Sequence, residues 1–251
     1  MFSGFTPSEQ GTKRTQRTHS KSRKGCGNCK IKRTIQHSER DAIWAATIIF
    51  GSIAFYHVDA ETPEEAWPLR PDSPLDLNWL WMSDGKQEVW KLSQPLRPDS
   101  VSQDSARNYL HFLEAPPMVH LWEALPPILI GLCGLEDTST VHTNSYYGTA
   151  SSLAQSVNLD NVLPVSMNFI AFTMNMTLDY KRLLKRKDPC ALLLLAYWYA
   201  KVCQYPHWWI YGRAAMELPA ICMYLERYHR HNTNLQELLI WPKMICGVTP
   251  P

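Results

Sequence analysis

Apolar residues are spread unevenly along this 251-residue chain, and their spacing predicts helices separated by proline-rich loops. The most apolar stretch, Ala191 to Cys203, carries a single charged residue, Lys201. It follows Asp188-Pro189, which combines an N-cap acceptor with a proline at the first helical position. A helix that is apolar on nearly every face must be buried on all sides. We therefore expect this helix to form the centre of the core.

A second apolar run, Ala42 to Tyr56, contains no charged residue. It predicts an amphipathic helix buried against the body, preceded by acidic Asp41. A membrane-associated helix over residues 42–58 is the alternative. Because a bilayer requires about 20 apolar residues, we expect no membrane span.

The remaining periodicity predicts several shorter helices, and no run of alternating β-branched residues and no internal repeat accompanies them. The expected helices are Leu75–Gln94, Ser105–Leu113, Ile128–Cys133, Ser145–Val157, Val165–Lys185, Tyr211–His229 and Leu235–Trp241. Proline in a helix clashes with the preceding turn, so we expect a bend near Pro219 and a helix end at Pro242. The predicted fold class is all-α, a helical bundle.

Charge divides the chain into two parts. Residues 1–40 hold ten Lys and Arg against two acidic residues, a net charge of +8, whereas residues 41–251 hold 15 basic and 21 acidic residues, a net charge of −6. We expect residues 1–40 to be a mostly disordered basic arm and residues 41–251 to be the helical domain. A basic arm of this kind is suited to a polyanionic partner.

Catalytic motifs are missing from the sequence. It contains no nucleotide-binding glycine motif, no Gly-x-Ser-x-Gly and no His-Glu-x-x-His. His229 and His231 are two residues apart near a helix end, where they cannot share a helix face. Asp84 and Glu88, beside Lys86, have the spacing of an ordinary solvated face. We expect a protein that is not an enzyme.

The sharpest chemical motif is Cys26-x-x-Cys29, followed directly by Lys30-Ile31-Lys32-Arg33. This segment resembles the opening of a fungal Zn₂Cys₆ binuclear-cluster DNA-binding domain. The resemblance implies that Cys26 and Cys29 are zinc ligands and that Lys30, Lys32 and Arg33 face double-stranded DNA. It further implies that upstream basic residues, Arg23 and Lys24 among them, contact phosphates or direct nuclear import.

The sequence departs from that family pattern after the second cysteine. The third cysteine position of the motif is Gln36, and the next cysteine is Cys133. Structural zinc requires four ligands, so two cysteines cannot close the site. Two routes to a zinc site remain. His37 can replace a missing cysteine ligand, or two chains can each contribute a CxxC pair.

The body resembles the same family. The segments that carry this resemblance are Ala60 to Pro68, Ser73 to Trp79, Met82 to Trp90, and Leu192 to Gln204 with Trp208-Trp209. They are similar to the regulatory domain of fungal Zn₂Cys₆ transcription factors, and most similar to the sterol-uptake control group. The resemblance implies a nuclear regulator of RNA polymerase II transcription with an all-helical domain that senses a sterol and forms a homodimer. The alternative is a ligand-sensing or dimerisation module without direct DNA recognition.

Aromatic and methionine side chains are the candidates for an apolar ligand pocket. They are Phe172, Met174, Met176, Trp198, Trp208, Trp209 and Met216. For any one of these residues, ordinary core packing is the favoured explanation, because buried aromatic side chains are the usual content of cores. The sequence therefore assigns no individual residue to a ligand.

Overall fold

The computed structural model describes residues 37–113, 121–158, 170 and 172–247. Nine α-helices and two 3₁₀ helices have both ends within these residues, residues 170 and 172–174 are also helical, and no described residue is in a strand. The α-helices are α1 (His37–Tyr56), α2 (Asn78–Ser93), α3 (Gln103–Leu113), α4 (Pro127–Leu132), α5 (Tyr147–Asn158), α6 (Leu178–Lys185), α7 (Pro189–Gln204), α8 (Tyr211–Tyr228) and α9 (Thr233–Cys246). The 3₁₀ helices are Pro63–Glu65 and Leu121–Ala124. The all-α prediction is confirmed for this part of the chain. Residues 1–36 of the basic arm lie outside it, whereas residues 37–40 form the first turn of α1.

Helix α7 is the centre of the body, as its sequence predicts. The Asp188 side chain accepts a hydrogen bond from the Ala191 amide at 2.9 Å, and Pro189 occupies the first turn. Every residue from Ala191 to Ala200 is buried. Helices α5, α6, α8 and α9 pack around it. Apolar burial on all faces of α7 therefore organises the core.

The Trp198 side chain occupies the middle of that core. Its indole is fully buried and stacks on the Phe172 ring, with 4.5 Å between ring centres and 9° between planes. Trp79 stacks on it from the opposite part of the body, at 6.3 Å and 12°. The Phe55 ring meets both indoles edge-on. These aromatic contacts join α1 and α2 to the central helix.

Helix α1 differs from its prediction. The apolar run does form a helix, but several large side chains on it face solvent: Ile48, Ile49, Phe50, Ile53 and Tyr56. The helix packs on α2 and touches α8, and among its residues 39–56 Phe55 alone is buried. The expectation of a buried amphipathic helix was therefore wrong, because hydrophobic spacing does not show how many partners a helix has. Within the described residues no helix is long and apolar enough to cross a membrane.

Helix α9 corrects the expectation that Pro242 ends a helix. The helix continues through Pro242 to Cys246, and Gly247 caps it in the left-handed region. Proline lacks the amide that would bond to the carbonyl four residues earlier, Leu238. The Tyr197 hydroxyl of α7 donates to that carbonyl at 3.1 Å. A side chain of the core thus replaces the missing backbone donor, and the helix continues past the proline.

The predicted helix Val165–Lys185 is interrupted. Residues 172–174 are helical, but a break follows, and the Thr177 side chain caps the new helix α6 by accepting from the Tyr180 amide at 3.2 Å. Gly148 of α5 explains why the chain can pass closely here, since a Cβ on it would lie 2.6 Å from the Asn175 carbonyl oxygen. Residues 165–169 lie outside the described part.

Candidate functional site

A cleft of about 510 Å³ opens between α1, the loop after it, the start of α2 and α8. Most of the residues that line it are apolar. The side chains of Leu75, Phe50, Ile53 and Met82 surround the mouth and are between 42% and 67% exposed. The floor is formed by buried side chains, namely Ala66, Trp67, Leu77 and Trp79. A mostly apolar cavity of this size is the usual form of a small-molecule site.

One end of the cleft is formed by a buried ion pair on α8, Arg213 with Glu217. The two side chains are 10% and 4% exposed, and their i,i+4 spacing places them on one helix face. The second carboxylate oxygen accepts the Tyr199 hydroxyl at 2.7 Å. Burial raises the pKa of the Tyr199 hydroxyl, which therefore remains a donor. Both carboxylate oxygens of Glu217 thus have a partner.

The Arg213 guanidinium also holds the end of helix α1. Its Nε donates to the Phe55 carbonyl at 2.7 Å, and Nη2 donates to the carbonyls of His57 and Ala54. The last carbonyls of a helix have no partner within the helix, and its C-terminus attracts positive charge. Arg213 satisfies both requirements at once. The guanidinium therefore fixes the position of the wall that α1 contributes to the cleft.

Aromatic rings cover the same guanidinium. Its central carbon lies 5.4 Å from the centre of the Phe55 ring and 5.5 Å from the Trp79 ring, which is within range of a cation–π interaction. Phe55 and Trp79 meet edge-on with ring centres 4.5 Å apart. These contacts fix the indole at the cleft floor.

The turn before α2 forms another part of the wall. Arg70 Nε donates to Asp76 at 3.1 Å, and the other Asp76 oxygen accepts the Ser73 amide at 2.7 Å. Leu77 follows with φ 62° and ψ 14°, in the left-handed region that favours glycine. A leucine in this conformation costs about 1 kcal/mol, and its buried side chain offsets that cost.

Charges in the cleft neutralise one another. Arg213 pairs with Glu217, Arg70 pairs with Asp76, and His57 Nδ1 lies 3.3 Å from an Asp59 oxygen. An anionic ligand would meet carboxylates beside each cation. The electrostatics therefore favour a neutral molecule.

Trp79 supplies a polar group without a partner. Its indole Nε1 is buried, and no acceptor within the described residues forms a hydrogen bond with it. A buried N–H without an acceptor costs about 1–3 kcal/mol. Trp79 therefore lines the cleft with its ring, while its N–H stays a buried donor that is not exposed to the cleft.

The aromatic and methionine residues that the sequence proposed do not form this cleft. None of the seven lines it. Trp198, Phe172 and Met176 are buried core residues, and Trp208 is 69% exposed. For the three buried residues, the alternative of ordinary core packing is the one observed.

The residues that line the cleft were missed because they come from distant parts of the sequence. Arg213 and the carbonyl that it contacts on Phe55 are 158 residues apart. One sequence signal was present, since Arg213 and Glu217 are an opposite-charge i,i+4 pair, and no other charged residue occurs in the helix before Glu226.

The predicted zinc ligands and DNA-facing residues all lie outside the described part of the chain. They are Cys26, Cys29, Lys30, Lys32, Arg33, Lys24 and Arg23. Glu88, which the sequence places on a solvated face, is exposed and pairs with Lys91 at 2.7 Å. In the described ranges, no group of three or more His, Cys, Asp or Glu residues is placed to hold a metal ion.

Comparison with known proteins adds no assignment. No family model, curated protein or solved structure matches the chain. Function is therefore argued from the residues and geometry of this chain.

Proposed function

We propose that this chain is a zinc-cluster-type regulator of RNA polymerase II transcription whose helical body senses a neutral, apolar small molecule. The cleft between α1, α2 and α8 supports the sensing role. It combines an apolar lining with internally paired charges. These are the features of a site that binds a neutral, apolar molecule.

A sterol is the ligand class that we propose. A sterol is rigid and uncharged and carries a single oxygen, which suits a cleft with few polar groups. The resemblance of the body to the sterol-uptake control group supports the same class. Occupancy of the cleft would contact α1, α2 and α8 together and would stabilise their arrangement.

Binding can be tested with one substitution in the cleft and a matched control on the same helix. Ile53 lines the cleft and is 49% exposed, whereas Ile49 is 56% exposed and is not part of the lining. We expect Ile53→Asn to weaken binding of a fluorescent sterol, and Ile49→Asn to leave it unchanged. In the unmodified protein, sterol at 100 times its dissociation constant should raise the free energy of unfolding by about 2.7 kcal/mol.

Two results would contradict different parts of this proposal. A flat titration of the unmodified protein would remove sterol sensing. Saturable binding that Ile53→Asn leaves intact would retain the ligand and place it elsewhere in the molecule.

DNA recognition by the basic arm is the other half of the proposal. The net charge of +8 on residues 1–40 supports contacts with phosphates, through Lys30, Lys32 and Arg33 above all. Because only Cys26 and Cys29 are available in the arm, we expect fewer than two zinc ions per chain by metal analysis. Duplex binding no tighter than that of a polybasic peptide would favour the alternative, a ligand-sensing or dimerisation module without direct DNA recognition.

With this function we propose that the protein is located in the nucleus and forms a homodimer. The exposed apolar face of α1, which includes Ile49 and Phe50, supports a contact between two copies. Light scattering should show a mass that rises from monomer to dimer with concentration. A constant monomer mass would contradict the dimer.

A further inference from the structure

Two basic segments that are far apart in sequence meet on the surface of the body. Lys187, in the turn after α6, places its Nζ 5.6 Å from the centre of the Tyr224 ring on α8. The Tyr224 ring in turn lies 4.7 Å from the Tyr228 ring and 6.3 Å from the His229 ring. Residues 185–187 and 227–230 therefore border one surface. We call it the basic surface and define it as Lys185, Arg186, Lys187, Arg227, Tyr228, His229 and Arg230.

Four cations of the basic surface are not neutralised by the protein. Lys185, Arg186, Arg227 and Arg230 are exposed, and none has a side-chain partner within the described residues. Lys187 is paired with Asp72 at 2.6 Å.

The neighbouring carboxylates are already engaged. Asp179 pairs with Arg182, and Glu226 pairs with Lys243. Asp188 accepts the Ala191 amide and the Tyr146 hydroxyl. The basic surface therefore has an excess of positive charge although the body as a whole is acidic.

Helix termini account for only part of this excess. Helices α6 and α8 both end here, and each C-terminus carries the equivalent of about −0.5 charge. Together the two termini balance about one cation, whereas four are without a partner. Arg186 and Arg230 also lie beyond the last helical residues.

Aromatic rings lie between these cations. Tyr228 is 60% exposed, and its ring forms a group with those of Tyr224 and His229. The turn that carries them is held in place, since the Gln236 side chain donates to the carbonyls of Leu225 and His229. Cations beside an exposed aromatic ring, here that of Tyr228, are the composition of sites that hold a phosphate backbone and stack an unpaired base.

We propose that the basic surface binds nucleic acid, with Arg186, Arg227 and Arg230 on backbone phosphates and an unpaired base against Tyr228. This contact is separate from the basic arm of residues 1–40 and does not depend on sterol binding. Through this surface the folded body binds nucleic acid without the arm.

The test uses the full chain with the arm weakened by Lys30→Gln, Lys32→Gln and Arg33→Gln, so that the body's contribution can be measured. In that background, one variant carries Arg186→Gln, Arg227→Gln and Arg230→Gln. A matched variant carries Lys91→Gln, Arg107→Gln and Lys201→Gln, which remove the same charge elsewhere. Binding to a single-stranded oligonucleotide of unrelated sequence is measured by fluorescence anisotropy over a range of salt concentrations.

We expect the basic-surface variant to bind roughly 10- to 100-fold more weakly at about 0.1 M salt, with a salt slope lower by about 2. The matched variant should change both values little. Tyr228→Leu should weaken single-strand binding at least about fivefold and duplex binding less, since a paired base cannot stack on the ring. Unfolding midpoints of the basic-surface variants should stay unchanged, because Arg186, Arg227, Tyr228 and Arg230 are exposed.

Two outcomes would overturn the proposal. Equal losses in the basic-surface and matched variants would show that net charge alone sets the affinity. Tighter binding to phosphatidylserine vesicles than to the oligonucleotide, lost in the basic-surface variant, would assign the surface to anionic membranes instead.

Discussion

Arg213 offers the sharpest test of how the cleft is held together. The guanidinium satisfies carbonyls at the end of α1 and neutralises Glu217, which is almost fully buried. In Arg213→Met the methylene stem is approximately retained, but a buried carboxylate loses its counter-charge and the helix end loses its donors. Breaking a buried pair from one side costs about 3–5 kcal/mol. We expect the free energy of unfolding to fall by that amount.

The double variant Arg213→Met with Glu217→Leu separates the charge effect from simple loss of packing. With both charges removed, no ion is left alone in the core, and the unpaired groups are the α1 carbonyls and the Tyr199 hydroxyl. The double variant should therefore be less destabilised than the sum of the single variants, by about 2 kcal/mol or more.

Urea unfolding followed by circular dichroism and tryptophan fluorescence measures all three variants. Additive losses would refute the reasoning, since additivity would mean that the two side chains do not depend on each other. A loss below about 1 kcal/mol for Arg213→Met would equally show that water, rather than Arg213, satisfies the end of α1.

Further predictions concern the polar groups around α7. Tyr199→Phe should lower the free energy of unfolding by about 1.5–3 kcal/mol, because it removes a hydrogen bond to a buried carboxylate, and urea unfolding measures this loss. Tyr197→Phe should cost about 1–2 kcal/mol in the unmodified chain and close to nothing in Pro242→Ala, where a backbone amide can bond to Leu238; equal costs in both backgrounds would contradict the assigned role. Burial raises the pKa of Tyr197 from 10.0 to about 12 and that of Cys203 from 9.0 to about 12, so their contributions are complete below pH 9 and are lost as pH rises to about 12. Tyr197→Phe with Cys203→Ala should flatten that alkaline loss in thermal melts, and an unchanged slope would argue against these two groups.

Local chemistry allowed the central helix to be predicted almost completely. Asp188 and Pro189 mark its start, and the apolar run marks its burial, so neighbours in sequence carry all the information needed. Pro242 shows the limit of such rules. The rule that proline ends a helix was correct about the missing donor but could not include the Tyr197 hydroxyl, which lies 41 residues before the Leu238 carbonyl that it satisfies.

The cleft was not predictable for the same reason. Its walls come from segments that no local pattern connects, and the charged pair Arg213–Glu217 was the one signal within a single helix. The basic surface was also hidden, since the sequence placed His229 only near a helix end and connected it to no other basic segment. Only the contact between Lys187 and Tyr224 brings the two basic segments together.

The hydroxyl of Tyr197 has a consequence for the order in which the chain folds. The part of α9 beyond Pro242 depends on a donor that exists at that position only after α7 has docked. An isolated peptide of residues 233–246 should therefore fray at Trp241, whereas the same residues are helical within the body. In refolding, protection of the amides from Lys243 to Cys246 should arise no earlier than burial of Tyr197. The last turn of this helix is thus formed by tertiary structure, and it should mature among the late steps of folding.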